Sequence, residues 1–209
     1  VSSGDALNVS GLLRPGLLED AGILLAAADG DGGFAAEVEG ACSFLGARVR
    51  TFAALGRDGA ARGEEEMAAE AEAAFAAMGG GGLLVVDAAG LFASGGAQES
   101  PHEPMRSCLQ ASWNATRAFA GALLAREAAG RIVYLAPAGT AAVAALAGLE
   151  NLARTLSIEW ARHAITTVAI APGAGTEGGE VAALVAYLAS PAGAYFSGCL
   201  LDLRGPRSR

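Results

Sequence analysis

The sequence predicts a single α/β domain whose parallel sheet is covered by helices on both faces. Three observations predict it. Short apolar runs that read as buried strands alternate with stretches of helical spacing along most of the chain. Near the start, a strand, a glycine turn, a helix and a second strand follow within a few tens of residues, which makes a βαβ unit. The 209 residues are 53% hydrophobic and 17% charged, enough to build one core and too apolar for a disordered chain.

The elements follow in order. Residues 1–21 have little pattern and read as an N-terminal arm; the domain is expected over 22–205. Residues 22–28 form an apolar strand that runs into Asp29-Gly30-Asp31-Gly32-Gly33, a tight turn. Residues 34–45 have helical spacing, with Phe34, Val38, Ala41, Cys42 and Leu45 on one side, and Gly46 ends the helix. Residues 47–52 give a second strand. A helix rich in Ala and Glu spans 64–78 and stops at the glycines of 79–82; the third strand is 83–86. A long helix is predicted over 105–128, with Met105, Leu109, Trp113, Thr116, Ala120 and Leu123 on one stripe. After a strand at 132–135 comes a helix over 143–162 that aligns Leu149, Leu152, Leu156 and Trp160. A strand at 166–171 ends at Pro172-Gly173, and a helix at 180–188 and a strand at 200–203 close the domain.

Composition narrows the function classes. The net charge is −8 with no basic cluster, which argues against nucleic acid and anionic membranes as partners. No apolar run approaches the ~18 residues of a membrane span, and no signal-peptide pattern is visible, so a cytoplasmic location is expected. Cys42, Cys108 and Cys199 are widely spaced, and with two histidines they suggest buried thiols rather than a metal site. Asn114-Ala115-Thr116 matches a glycosylation sequon by chance, inside a predicted helix. All 14 basic residues are arginine; the chain contains no lysine.

Several stretches, in this order, resemble the short-chain dehydrogenase/reductase family. Gly32-Gly33-Phe34-Ala35 with Gly46-Ala47-Arg48-Val49 resembles its glycine turn, first helix and second strand. Val86-Asp87-Ala88-Ala89-Gly90 resembles the strand-ending Asn-Asn-Ala-Gly motif, and Gly130-Arg131-Ile132-Val133 the strand that leads to the catalytic Ser. Residues 149–161 resemble the helix that follows the catalytic Tyr and Lys. Ala169-Ile170-Ala171-Pro172-Gly173 and Leu188-Ala189-Ser190-Pro191 are similar to the closing segments. The resemblance implies a Rossmann-type doubly wound sheet and, in 3-oxoacyl reductase-like members, NAD or NADP as cofactor.

The chain departs from that pattern where the chemistry lies. Across Thr-Gly-x-x-x-Gly-x-Gly, Asp29 replaces the first glycine and Ala35 the last, so the turn made of Asp29, Gly32, Gly33, Ala35 and Gly90 is vestigial. Asp29 and Asp31 place like charges where a pyrophosphate would lie. Arg50 could meet a ribose 2′-phosphate, or be an ordinary exposed strand residue. The resemblance puts the family's Asn at Cys108, its Tyr at Ala142, its Lys at Leu146 and its Ser near Ala136 or Pro137, so no catalytic residue is expected. Tyr134, Thr140 and His163 form no constellation that replaces them. The short run from Pro172 to Glu180 leaves a shortened substrate lid.

These losses point to a catalytically inactive subunit, with no cofactor expected, that pairs with an active paralogue in a hetero-oligomeric oxidoreductase. Two alternatives stay open. One is an NAD(P)-dependent oxidoreductase of ketone, 3-oxoacyl or alcohol type with an atypical site. The other is a ligand-binding or sensor protein that uses the emptied cleft. The partner, a second copy or a paralogue, is expected at the two long helices. Ala111, Ala115, Ala118, Ala122 and Ala125 of one, with Ala144, Ala147 and Gly148 of the other, would offer flat small-residue faces.

Overall fold

The computed structural model describes residues 13–30, 32–78, 82–95 and 102–205. Residues 1–12 of the expected arm and Asp31 of the glycine turn lie outside them. Six strands run in the order β2-β1-β3-β4-β5-β6, all pairs parallel: β1 (Gly22–Ala27), β2 (Arg48–Ala53), β3 (Leu83–Val86), β4 (Gly130–Leu135), β5 (Ile165–Ala171) and β6 (Cys199–Asp202). The helices are α1 (Ala35–Phe44), α2 (Glu64–Met78), α3 (Ala88–Ser94), α4 (Glu103–Ala125), α5 (Val143–Glu159) and α6 (Gly178–Ala189).

Strand side chains alternate between two cores, one on each face of the sheet. Ile23, Leu25, Val85, Val133 and Ile170 point to α1 and α6, where Val38, Cys42, Val181 and Val185 meet them. Leu24, Leu84, Val86, Ile132, Tyr134 and Ala169 point to the opposite face, packed with residues of α2 to α5. Leu18, from the segment read as an arm, is 1% exposed in the first of these cores, and its N–H donates to the Leu45 carbonyl at 3.0 Å. The second half of that segment is therefore part of the packed domain.

One sequence expectation is overturned on α4. Ala111, Ala115, Ala118 and Ala122 are 0–6% exposed and share a core with Met67, Ala71, Ala74 and Phe75 of α2. Phe75 stacks on Phe119 with ring centroids 5.4 Å apart. The small residues let α2 lie close against α4 within the chain, so they are not open to another subunit; only Ala125 is exposed. Gly148 of α5 is likewise used internally, since a Cβ there would meet Leu109 at 3.0 Å. The Asn114 amide donates to the Arg62 carbonyl at 2.8 Å, and its burial removes the sequon from use.

Candidate functional site

The chain leaves β1 for β2 on one side and builds β3 to β6 on the other, so the order reverses between β1 and β3. In open parallel sheets, ligands bind in the crevice outside the carboxyl ends of the strands at that reversal. The glycine turn follows β1 there, and Asp87 follows β3.

Asp87 organises this end of the sheet. It is 2% exposed, yet its carboxylate has three donors. Oδ2 accepts from the backbone N–H of Phe34 at 2.9 Å and of Ala35 at 3.0 Å. Oδ1 accepts from the Gly90 N–H at 3.2 Å. One side chain thus caps α3 and also fills two amide donors at the amino end of α1, whose own Ncap, Phe34, makes no side-chain cap. Burial pushes the Asp87 carboxyl above its ordinary range; the three amides pull the other way, and nearby Glu37 adds to the rise.

The glycines of the turn make room for these contacts. A Cβ on Gly33 would stand 2.0 Å from Asp87 Oδ2, and one on Gly90 2.9 Å from the same atom. A Cβ on Gly32 would lie 2.6 Å from the Ala93 methyl of α3. The turn is folded onto the chain's own groups. Asp29 beside it is exposed.

Across the crevice, the ends of β4, α4 and α5 form an apolar corner. Cys108, Ala136 and Leu146 fall in one core cluster with Ala88 and Leu91, at 0%, 0% and 9% exposure, and Ala142 is 1% exposed. The Cys108 thiol donates to the Ala88 carbonyl at 3.3 Å, and burial pushes it up to about 12. It is no nucleophile near neutral pH. Tyr134, fully buried on β4, shares a 3.0 Å hydrogen bond with Thr116 of α4. Thr140 and His163 are exposed, and His163 accepts from the Arg162 Nε at 3.0 Å. Among the described residues no group of His, Cys, Asp or Glu could hold a metal ion, and no helix is long and apolar enough to cross a membrane.

No protein-family profile and no curated protein sequence matches the chain. Solved structures do. A hydroxysteroid dehydrogenase from Escherichia coli aligns over 91% of this chain and 98% of its own, with TM-score 0.70 and 17% identity. A short chain dehydrogenase from Mycobacterium smegmatis aligns over 92% and 95%, with TM-score 0.71 and 21% identity. A dehydrogenase/reductase from Sinorhizobium meliloti 1021 aligns over 92% and 98%, with TM-score 0.68 and 19% identity. The fold is that of the short-chain dehydrogenases.

A dinucleotide, the group this short-chain dehydrogenase fold implies, does not fit the residues present. The amide donors at the amino end of α1 that would face its phosphates hold Asp87 instead, and the first and last turn glycines are Asp29 and Ala35. Arg50, the candidate for a 2′-phosphate, is exposed and lies 3.5 Å from Glu70 of α2. Of the residues that the sequence resemblance sets against the family's Asn, Ser, Tyr and Lys, Ala136, Pro137, Ala142 and Leu146 have no titratable side chain, and Cys108 keeps its proton near neutral pH. Only residues 172–177 separate β5 from α6. Thr176 folds them back, accepting from the Gly173 N–H at 2.8 Å, and Glu177 and Glu180 close a capping box on α6.

Sequence reasoning missed α3 and the role of Asp87, although both were visible. A carboxylate directly after a wholly apolar buried strand needs partners, and Asp followed by Gly90 three residues on fits the start of a helix.

Proposed function

We propose that this chain is a non-catalytic subunit built on the short-chain dehydrogenase fold, acting through its outer surface beside an active paralogue in a hetero-oligomeric oxidoreductase. The single observation that carries the proposal is the apolar corner. Cys108, Ala136, Ala142 and Leu146 are buried at the places where the fold's chemistry would need polar groups, and the chain has no lysine to move there. A corner packed this well is a product of selection for folding, which a decaying chain would lose.

The outer faces of α4 and α5 are available to a partner. Val143 and Ile158 are 61% and 77% exposed and lie on one side of α5 with exposed Ala147 and Arg154. On α4, Gln110, Arg117, Gly121 and Leu124 are exposed along one side, with Trp113 half-buried between them.

Two experiments test the proposal. The purified chain is assayed with NADH and NADPH against ketone and 3-oxoacyl thioester substrates, and no turnover above background is expected. Turnover of roughly 1 per second or more, abolished by a point change in this chain, would defeat it. Sedimentation is then run with the chain alone and mixed with a short-chain dehydrogenase-fold paralogue from its own source. A complex that Ile158→Arg dissociates supports the subunit role; a monomer at micromolar concentration in both samples contradicts it.

A further inference from the structure

We infer that Asp87 is a built-in occupant of the fold's phosphate site, closing from inside the place where a dinucleotide diphosphate would bind. This goes beyond the loss of catalysis, because an inactive chain can still hold a cofactor.

The inference rests on which groups face which. An α-helix begins with amide N–H groups that have no partner within the helix, and those groups make its amino end an anion site. In α1 two of them, on Phe34 and Ala35, already donate to one carboxylate oxygen. That oxygen belongs to a side chain 2% exposed, held at its second oxygen by the Gly90 N–H. Gly33 and Gly90 approach the carboxylate too closely for any side chain. A phosphate arriving from solvent would need to displace Asp87 from its two donors on α1 and leave a buried carboxylate with the Gly90 amide alone. The charges nearby add to the exclusion. Glu37 stands in the first turn of α1 and lies against Gly178, while Asp29, Glu177 and Glu180 are, among the described residues, the other carboxylates on the turn and on the start of α6. The basic side chain at the end of β6, Arg204, is engaged with Asp202 at 2.7 Å.

The occupant works as a phosphate would: one anion joins the turn, α1 and α3. The ligand class refused is therefore any phosphate or diphosphate approaching the amino end of α1, whichever nucleoside it carries.

Amide hydrogen exchange on the wild-type chain reads the contact directly. The Phe34 and Ala35 amides precede the hydrogen-bonded ladder of α1 and would exchange freely without Asp87. Slowing of at least ~10-fold against the Ala36 amide is expected. Equal exchange at the three positions overturns the inference. The second measurement is the melting temperature with and without 10 mM pyrophosphate at constant ionic strength, for wild type and for Asp87→Ala. Wild type should not respond. The variant should melt lower and recover roughly 2–4 °C with pyrophosphate, as a site of about millimolar affinity would give. A pyrophosphate response in wild type, or none in a folded variant, contradicts the inference. If Asp87→Ala does not fold, the exchange result on the wild-type chain decides. Failure of this inference would leave the proposed lack of catalysis standing, because turnover is measured separately.

Discussion

The two sides of the crevice are closed in opposite ways. On the α4–α5 side Cys108, Ala136 and Leu146 pack as ordinary core and Ala142 is buried beside them. On the α1 side, a charged group, Asp87, fills the space and accepts three backbone hydrogen bonds. The apolar filling adds hydrophobic stabilisation and needs no partners. The charged filling is costly to bury and holds only because three amides point at it. The crevice is thus filled on one side by apolar parts and on the other by a charged, specifically bonded one, and the two respond differently to substitution and to pH.

The largest contrast comes from restoring a family residue to the apolar corner. Leu146→Lys should bury an unpaired ammonium and destabilise the fold by about 3–5 kcal/mol, lowering the melting temperature by roughly 10 °C. An unchanged melt would mean that the corner is open to water, and the packed-core description would fall. On the charged side, Asp87→Ala should cost about 3 kcal/mol, because three amides lose an ionised acceptor. Asp87→Asn should cost less in denaturant unfolding, since its amide keeps an acceptor for Phe34 and Ala35 but turns a donor toward Gly90. Equal costs for the two variants would show that the bonds from Phe34 and Ala35 contribute nothing.

Smaller effects sharpen the comparison. Tyr134→Phe should cost about 1 kcal/mol and leave Thr116 unsatisfied, whereas the double variant with Thr116→Val should be closer to wild type. A double variant worse than the sum would contradict the pairing of these hydroxyls. The smallest effect is in pH. The folded state raises the carboxyl pKa of Asp87, so the folded protein takes up the proton at higher pH than the unfolded chain. Its contribution is most favourable below the ordinary aspartate range, declines as pH rises through the folded value, and is flat above it. The difference in urea midpoint between wild type and Asp87→Asn should therefore shift against wild type from pH 3.5 to about 6. A shift in the other direction would mean that the amides outweigh burial.

Much of the fold is legible in the sequence. Runs such as Leu83-Leu84-Val85-Val86 have one reading in an α/β chain, and the glycine after residue 45 marks a helix end that the structure places at a φ of 98°. The absence of lysine is legible too and needs no coordinates. What the sequence hides is which neighbour covers an alanine. Ala115 and Ala118 look identical whether they face α2 or another molecule, and only tertiary packing separates a buried small residue from an exposed helix former. The turn was read through Asp29 and Asp31 as repelling a ligand by charge. The stronger obstacle, Asp87, lies 58 residues beyond Asp29 and meets the turn only after the sheet forms.

The most direct test of the account is a calorimetric titration of the wild-type chain with NADH and NADPH. The account predicts no saturable heat for either up to about 1 mM. A dissociation constant in the micromolar range for either cofactor would contradict it, since Asp87 and a diphosphate cannot both hold the amides of Phe34 and Ala35.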